Sequence, residues 1–371
     1  MKRNIMKTII VFGIFIFSSP VFAEEQSQNL IQAAILLDTS NSMDGLINQT
    51  KAQLWKIVNE LALARKDGKV PQLQIALYEY GNNSLSPKDG YIRQVVGLSG
   101  DLDRISEELF RLKTNGGEEY CGQVIDRAVR ELQWSLEKDV LKIIFIAGNE
   151  PFTQGSYDYK KSCRDAITKG IIVNTIFCGN RDEGIRSQWK DGADLADGLY
   201  SNIAQDQSIA HTAAPQDAEI SRLGRELNDT YVAFGSKGKE AKDLQAKQDA
   251  NAQSVAAPVL AERSVAKASA QYSNSGWDMV DASVKEPGLI DKVEKEQLPQ
   301  EMRSMNSQER KNYIAAKAGK RKEIQAEINK LNSERQKYIA EQQKKTGDAT
   351  LDQAVLGAIR KQALEKNYVF E

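Results

Sequence analysis

Short apolar runs and longer amphipathic segments alternate along residues 28–235. The apolar runs predict strands at 32–37, 73–80, 91–98, 140–147 and 171–178. Apolar positions at helical spacing predict helices at 45–65, 101–113, 122–136, 157–169 and 216–227. The runs at 140–147 and 171–178 are apolar almost throughout, which is typical of strands covered on both faces. Alternating strands and helices of this kind predict an α/β fold with a doubly wound, mostly parallel sheet.

The pattern changes after Gly235. Residues 236–270 are rich in Ala, Lys, Gln and Ser and contain no aromatic residue, which predicts a linker or a frayed helix. Residues 271–371 then form an α-helical carboxy-terminal extension, which starts with a small apolar island at 271–284 that we expect to dock. Because the predicted sheet is complete before Gly235, we expect residues 28–235 to fold without the extension.

Two long helices are predicted in the extension, at 307–345 and 351–366. Their apolar stripes are narrow, so a helical hairpin or a short coiled coil is expected. Arg321 and Arg335 interrupt the stripe of the first helix, which leaves fewer than three clean heptads. The stripe is equally consistent with a helical pair that covers its own apolar side.

Residues 1–23 resemble an export signal. They have a positively charged start, an apolar run at 9–17 that is too short to span a bilayer, and a small-residue cleavage site at 21–23. An uncleaved anchor is the alternative. No later stretch is apolar enough to cross a membrane, so we expect a periplasmic or secreted protein. With 50 basic and 51 acidic side chains, the composition gives no reason to expect a nucleic-acid partner.

Three cysteines allow at most one internal disulfide in an oxidising compartment. Cys163 is predicted on a helix and Cys178 at the end of the following strand, which are neighbouring places in a βαβ unit. We therefore expect a Cys163–Cys178 bridge and a free Cys121. The alternative is three small buried hydrophobic side chains.

The first buried strand opens directly onto a loop with one carboxylate and two hydroxyls. Asp38, Ser40 and Ser42 alternate in this loop, immediately after the apolar residues 35–37. Hard divalent cations bind oxygen ligands, and loops at the carboxyl ends of parallel strands are where open α/β sheets place their sites. The alternative is that these side chains cap the helix that follows.

This loop resembles the metal-ion-dependent adhesion site of von Willebrand factor A domains, in which three loops hold the ion. Asp38, Ser40 and Ser42 match the first loop. In the second loop Glu118 stands where the family has a Thr, and in the third Gly148 stands where the family has an Asp. The resemblance implies that Asp38, Ser40, Ser42 and Glu118 bind Mg²⁺ or another hard divalent cation, with one carboxylate moved from the third loop to the second.

Other candidate chemistry is sparse. His211 is the only histidine and lies in a loop without a partner motif, and no carboxylates form a recognisable acid/base pair, so no catalytic residue is predicted. The resemblance implies a non-enzymatic protein-binding or assembly module with a protein partner. Two alternatives stay open: a magnesium-dependent hydrolase in which Asp38 and Glu118 hold a metal-activated water, and a metal-free scaffold whose helical tail binds partners or self-associates.

Overall fold

The structure is a computed structural model that describes residues 29–203, 212–346 and 351–370. The predicted export signal, residues 1–23, and His211 lie outside the described residues. The described strands are β1 Leu30–Asp38, β2 Ala64–Arg65, β3 Gln72–Tyr80, β4 Ile92–Ser99, β5 Leu141–Gly148, β6 Ile171–Cys178, β7 Tyr200–Ile203 and β8 Val369–Phe370. The described helices are α1 Asp44–Ala62, α2 Leu102–Arg111, α3 Cys121–Glu131, α4 Tyr159–Thr168, α5 Arg181–Arg186, α6 Trp189–Asp194, α7 Asp217–Asn228, α8 Gly238–Val255, α9 Ala257–Ala268, α10 Met279–Lys285, α11 Leu289–Lys292, α12 Ser307–Thr346 and α13 Leu351–Leu364.

Six strands form the main sheet in the order β4-β3-β1-β5-β6-β7. Only β4 is antiparallel to its neighbour, which confirms the predicted doubly wound, mostly parallel sheet. The sixth strand, β7, was not predicted because its four residues are mostly polar and lack the apolar pattern of the other strands. The central strand β1 lies between β3 and β5, so its carboxyl end opens between two neighbouring strands.

Each face of the sheet is covered by its own apolar layer. Along β1, Ile31, Ala33 and Leu37 belong to one layer, whereas Ala34 and Leu36 belong to the other. The first layer contains α1, α2, α7 and α9, and the second contains α3 and α4. This alternation follows from the two-residue period of a strand, which sends successive side chains to opposite faces.

The segment at 236–270, for which the sequence predicts a linker or a frayed helix, forms two helices, α8 and α9. Residues 258–268 of α9 are all buried, and the helix contacts α1, α7, α8 and α12. Its small residues, such as Ala261 and Ala266, allow these helices to approach closely. The lack of aromatic residues in this segment therefore reflects a tightly packed helix, and the segment belongs to the core of the protein.

Helix α9 also carries two fully buried cations. Arg263 pairs with Asp103 of α2 at 2.9 Å and with Asp249 of α8 at 2.5 Å, and Lys267 pairs with Asp249 at 2.6 Å. The hydroxyl of Tyr272 donates to Asp103 at 2.5 Å. We call these five residues the Arg263 cluster. It connects the segment after Gly235 to α2 through charges that are compensated within the core.

The two long helices of the extension pack on earlier elements of the chain. Helix α12 contacts α7 and α9, whereas α13 contacts α1 and β7, which differs from the predicted hairpin or coiled coil. The two arginines that interrupt the stripe of α12 are anchors. Arg321 pairs with Asp278 at 2.7 Å, and Arg335 pairs with Asp217 at 2.6 Å. Among the described helices, none has a stretch long and apolar enough to span a membrane.

Residues of α13 and those just after it contact strands β6 and β1 of the main sheet. Asn174 of β6 and Gln362 of α13 exchange two hydrogen bonds of 3.0 and 2.7 Å between their side-chain amides. The hydroxyl of Tyr368 donates to the backbone oxygen of Leu30 at 2.8 Å, and β8 pairs with β2. One apolar core therefore includes residues on both sides of Gly235.

The three cysteines are buried free thiols, so the predicted Cys163–Cys178 bridge is wrong. Cys163 lies in the apolar layer of α3 and α4, whereas Cys178 lies in the layer on the opposite face of the sheet. Phe177, and not Cys178, points from β6 toward the face of α4. The prediction placed both elements correctly but did not account for the alternation of side chains along the strand.

Candidate functional site

The first predicted loop lies at the carboxyl end of the central strand. β1 ends at Asp38, and a short 3-10 turn, Asn41–Met43, leads into α1. Thr39 connects the loop to its neighbours by two backbone hydrogen bonds. Its nitrogen donates to the carbonyl oxygen of Tyr80 at 2.9 Å, and its carbonyl oxygen accepts from the nitrogen of Asn115 at 3.0 Å. The loops after β1 and β3 and the loop before α3 therefore meet at one edge of the sheet, as the sequence predicts.

The structure brings the three first-loop residues together. The Oδ1 atom of Asp38 accepts from the backbone nitrogen of Ser40 at 2.8 Å. The hydroxyls of Ser40 and Ser42 are 2.8 Å apart, and the Ser42 hydroxyl donates to Oδ1 of Asn149 at 3.0 Å. No side chain caps α1 at Met43, so these residues order the loop and do not cap the helix.

The second carboxylate is Glu119 and not Glu118. Glu118 is exposed, and its Oε2 accepts from Nε2 of Gln154 at 3.2 Å. Glu119 is buried, and the Ser40 hydroxyl hydrogen-bonds to its carboxylate. The sequence places two glutamates side by side in a loop with no periodicity, so it did not indicate which one faces inward. The predicted carboxylate of the second loop is present, one residue later than expected.

Two glycines leave room for these carboxylates. A Cβ atom at Gly81 would lie 2.7 Å from Cγ of Glu119 and 2.9 Å from Oδ1 of Asp38. A Cβ atom at Gly148 would lie 3.2 Å from Oδ2 of Asp38 and 2.5 Å from the hydroxyl of Tyr80. Gly148 is thus beside Asp38, as the resemblance implies, but Tyr80 fills the space that a third-loop side chain would need.

We call Asp38, Ser40, Ser42 and Glu119 the Asp38 edge. Asp38 is fully buried, and its Oδ2 has no hydrogen-bond partner among the described residues. An unpaired carboxylate oxygen in the interior is costly, and buried polar atoms of this kind are normally satisfied by a partner. Oδ2 thus lacks the partner that a proton or a bound cation would supply.

The electrostatics of the Asp38 edge favour the same conclusion. Burial raises the pKa of Asp38 to about 7; hydrogen bonding from Ser40 opposes this shift, and the charge of Glu119 adds to it. Burial also raises the pKa of Glu119 to about 7; the Ser40 hydroxyl opposes that shift, and Glu150 adds to it. Two buried carboxyl groups that repel each other are stabilised by a bound cation, which favours their ionised forms.

The neighbouring thiols are unsuited to metal binding. The Sγ atom of Cys121 is 3.7 Å from the hydroxyl of Tyr80, and burial raises the pKa of Cys121 and Cys178 well above the usual range. Both thiols therefore stay protonated at neutral pH, and a soft metal that needs thiolate ligands gains nothing here. The donors at this edge are oxygens.

These oxygens fit a hard cation with few protein ligands. The part of the chain that the structure describes has no group of three or more His, Cys, Asp or Glu side chains arranged around one point. Mg²⁺ commonly takes only one or two carboxylates and keeps several waters, which matches two carboxylates and two hydroxyls. Asp38, Ser40, Ser42 and Glu119 are the residues that would hold it.

An acidic and aromatic rim surrounds the Asp38 edge. The rings of Tyr91 and Tyr120 lie 6.2 Å apart, Tyr157 is exposed, and the exposed Glu118 and half-buried Glu150 add two carboxylates. Partly exposed aromatic side chains in loops are a common feature of protein interfaces. Glu118 and Tyr120 lie in the loop before α3, and Glu150 lies in the loop after β5.

Phe152 is the exception in these loops. It is fully buried, and its ring centroid lies 4.8 Å from that of Trp189. Phe152 therefore packs in the core beneath the loop after β5 and is not part of the rim. The sequence did not indicate Trp189 as a residue near the site, because it lies well beyond the end of the predicted strand at 171–178. Its side chain also lies 3.0 Å from a Cβ atom placed at Gly148, so it helps to close the third-loop position.

Comparisons with known proteins give one family match and several similar solved structures. Residues 34–188 match the family described as von Willebrand factor type A domain. A search of the curated proteins gives no match. Among solved structures, the chain is similar to the conserved hypothetical protein BatB from Bacteroides thetaiotaomicron, with 13% identity and a TM-score of 0.35, over 47% of this chain and 91% of that one.

Two further solved structures show the same range of similarity. The SpRpn10 VWA domain is 16% identical with a TM-score of 0.37, over 48% of this chain and 91% of that one. Proximal thread matrix protein 1 from the mussel byssus, solved with a zinc-occupied MIDAS motif, is 14% identical with a TM-score of 0.36, over 49% of this chain and 43% of that one. The family match identifies a von Willebrand factor type A domain at residues 34–188, and the structure adds a helical carboxy-terminal extension.

Proposed function

We propose that this protein is an exported protein-binding or assembly module whose Asp38 edge holds Mg²⁺ or another hard divalent cation. One observation carries the proposal: the buried Oδ2 of Asp38 has no partner and lies in the same site as a second buried carboxylate, Glu119. Domains of this family commonly mediate protein interactions and often bind a divalent metal, which supports the same assignment. The export signal at residues 1–23 supports a periplasmic or secreted location.

The Asp38 edge offers the ion both charged and neutral oxygen ligands. Asp38 and Glu119 supply negative charge, and the hydroxyls of Ser40 and Ser42 supply neutral oxygens. Asn149 orients Ser42 through its 3.0 Å hydrogen bond. When bound, the cation compensates the repulsion between the two carboxylates, so the loops after β1 and before α3 are held together at the surface that the rim surrounds.

The rim provides the contact surface for a protein partner. Tyr91, Tyr120 and Tyr157 offer aromatic area, and Glu118 and Glu150 offer charge outside the ion site. The same edge is poorly equipped for catalysis, because the nearby Cys121 and Cys178 are buried thiols with raised pKa values. We therefore propose a binding role and not a hydrolase.

Calorimetry with Mg²⁺, Mn²⁺ and Ca²⁺ tests the ion site on the full-length protein. We expect Asp38→Ala and Glu119→Gln to weaken binding of the preferred ion at least tenfold, because each removes a direct carboxylate ligand. Glu118→Gln is the matched control and should bind as wild type does, since Glu118 contacts Gln154 outside the site. Equal binding by wild type and Asp38→Ala, or loss of binding in Glu118→Gln alone, would contradict the assignment.

The same proteins, used as bait in extracts of the exporting compartment, test the binding role. Partners captured by wild type in the presence of the preferred ion should be lost with a chelator and with Glu119→Gln. Glu118→Gln removes a charge of the rim, so it should weaken capture while ion binding is kept. A partner set that is unchanged by the chelator and by both variants would show that the Asp38 edge is not the binding surface.

A further inference from the structure

Two tyrosines of the rim lie against each other beside a carboxylate. The ring centroids of Tyr91 and Tyr120 are 6.2 Å apart, and both side chains are half-buried. Burial raises the pKa of Tyr120, and the nearby Glu118, Tyr91 and Glu119 add to the shift, so its hydroxyl lies close to these carboxylates. We call Tyr91, Tyr120 and the exposed Glu118 the Tyr120 patch. It combines aromatic faces with negative charge at the surface.

Contacts with the loop after β5 hold the Tyr120 patch in place. The ring of Tyr120 packs on Gly155, where an added Cβ atom would lie 2.6 Å from Cδ1 of the ring. The Oε2 atom of Glu118 accepts a hydrogen bond of 3.2 Å from Nε2 of Gln154. Both contacts join the loop before α3 to the loop after β5, so the patch is preorganised for a partner.

The backbone at Tyr91 is strained. Its φ is 55°, in the left-handed region that bulky residues rarely adopt. The nitrogen of Tyr91 donates to the carbonyl oxygen of Ser86 at 3.1 Å, and its carbonyl oxygen accepts from the nitrogen of Gly81 at 3.1 Å. Glycine would make the same two bonds without strain, so the turn does not require a tyrosine. Strain of this kind is concentrated at functional sites, which favours a role of the Tyr91 ring in recognition.

The loops around the Tyr120 patch carry an excess of negative charge. Residues 38–43, 81–91, 112–120 and 149–158 contain two lysines, Lys88 and Lys113. The same segments contain six carboxylates: Asp38, Asp89, Glu118, Glu119, Glu150 and Asp158. A bound divalent cation offsets two of these charges, so negative charge remains when the ion site is filled.

Among the described residues, no cation is a main influence on the buried carboxylates of this edge. Apart from burial, the groups that chiefly shift the pKa of Asp38 and Glu119 are a serine and other carboxylates. The lysines in the first turn of α4 pair with Asp191 and Asp165. The buried Oδ2 of Asp38, which has no partner in the described part of the chain, belongs to the same group of carboxylates. A positively charged group from outside the chain therefore fits this surface.

Given the proposed binding role of the rim, on which this step rests, we propose that the Tyr120 patch receives a lysine or arginine side chain from a basic segment of the protein partner. The cation lies against the tyrosine rings, whose faces attract positive charge, and pairs with Glu118. Glu150 adds attraction over a longer distance. The charge of the patch then selects the partner, in addition to the ion at the Asp38 edge.

Fluorescence anisotropy on the full-length protein in the presence of Mg²⁺ tests this proposal with four labelled peptides. The peptides alternate glycine with lysine, arginine, glutamate or serine. We expect the lysine and arginine peptides to bind at least about tenfold more tightly than the other two. Tyr120→Leu and Glu118→Gln should each weaken binding of the two basic peptides about fivefold, because each removes one of the contacts to the cation.

Two matched controls separate the patch from the net charge and from the tyrosine hydroxyl. Glu334→Gln removes the same charge from an exposed position of α12 and should bind as wild type does. Tyr120→Phe keeps the aromatic ring and should also bind as wild type does. The proposal is overturned if the basic peptides bind no better than the other two, if Tyr120→Leu and Glu118→Gln both bind unchanged, or if Glu334→Gln weakens binding as much as Glu118→Gln.

Tyr91→Gly separates recognition from structure. Glycine adopts the observed φ without strain, so this variant should keep or raise the Tm while it weakens binding of the basic peptides about threefold. A lower Tm with unchanged peptide binding would assign Tyr91 to the fold and would contradict its role in the patch.

Capture of partners from extracts is the independent readout of the proposed function. If the basic peptides fail to bind while captured partners are still lost with a chelator, the basic partner is wrong and the proposed function stands. If the peptides fail to bind and no captured partner depends on the ion, both are wrong.

Discussion

Two largely buried carboxyl groups in this protein, Asp38 and Asp249, have pKa values that are shifted in opposite directions. At the Asp38 edge, burial raises the pKa of Asp38 to about 7, and the groups that chiefly modify this shift are Ser40 and other carboxylates. In the Arg263 cluster, burial also raises the pKa of Asp249, but the charges of Arg263 and Lys267 outweigh it and lower the pKa to about 2. Asp38 is fully buried and the Asp249 side chain is 13% exposed, and the charges of Arg263 and Lys267 give the pKa shift of Asp249 its opposite sign.

This difference separates a structural site from a binding site. A buried carboxylate whose charge is compensated within the chain contributes to the packing of the helices around it, and it offers nothing to a ligand. A buried carboxylate without such compensation destabilises the fold unless a proton or an added cation neutralises it. The Arg263 cluster is of the first kind, and the Asp38 edge is of the second.

Truncation after Gly235 is expected to have the largest effect. It removes Asp249, Arg263 and Lys267 together, leaves Asp103 without its cation, and exposes the apolar side of α7. Although the sequence predicts that residues 28–235 fold alone, the shared core leads us to expect no cooperative thermal transition by circular dichroism. A cooperative transition near the full-length Tm would show that the Arg263 cluster is dispensable.

Replacing the central cation alone gives the next largest effect. Arg263→Met leaves two buried carboxylates without a guanidinium, which typically costs about 3–5 kcal/mol. Urea denaturation at pH 7 measures this loss. Arg104→Met is the matched control, because Arg104 is 51% exposed in its ion pairs with Glu107 and Glu108, and such pairs contribute about 1 kcal/mol or less. Equal losses in the two variants would contradict the comparison.

The pH dependence at the Asp38 edge gives the smallest effect and has the opposite sign. The pKa of Asp38 rises from its ordinary 3.8 to about 7, so between these values the folded state holds a proton that the unfolded state has released. Stability from this group is therefore complete below about pH 4 and is lost as the pH rises through 7. Without divalent cations, Asp38→Asn should be more stable than wild type at pH 8, and equally stable at pH 4.

Urea denaturation across this pH range, in the presence of a chelator, measures the difference. Glu118→Gln is the control and should follow the wild-type profile, because Glu118 is exposed and lies outside the cluster. Adding the preferred divalent cation at pH 8 should reduce the advantage of Asp38→Asn, since wild type alone gains a ligand for its ionised carboxylates. Parallel profiles of stability against pH for wild type and Asp38→Asn would contradict the distinction between the Asp38 edge and the Arg263 cluster.

Local patterns were sufficient to predict most of the fold and the first loop of the site. The apolar runs located five of the six strands of the main sheet, and the alternation of strands and helices gave the doubly wound arrangement. The position of Asp38, Ser40 and Ser42 at the end of the first strand placed the site at the correct edge. These features depend on sequence periodicity and on the order of elements, which short segments encode by themselves.

Only the tertiary structure decided which side chains meet across long separations in sequence. The choice of Glu119 over Glu118 depends on how a loop without periodicity packs against Gly81, and the separation of Cys163 from Cys178 depends on the face to which each side chain points. Helix α9 has the composition of a linker, yet it is buried because its charges find partners on α2 and α8. Such pairing is a property of distant residues brought together, and no local pattern of polar and apolar positions contains it.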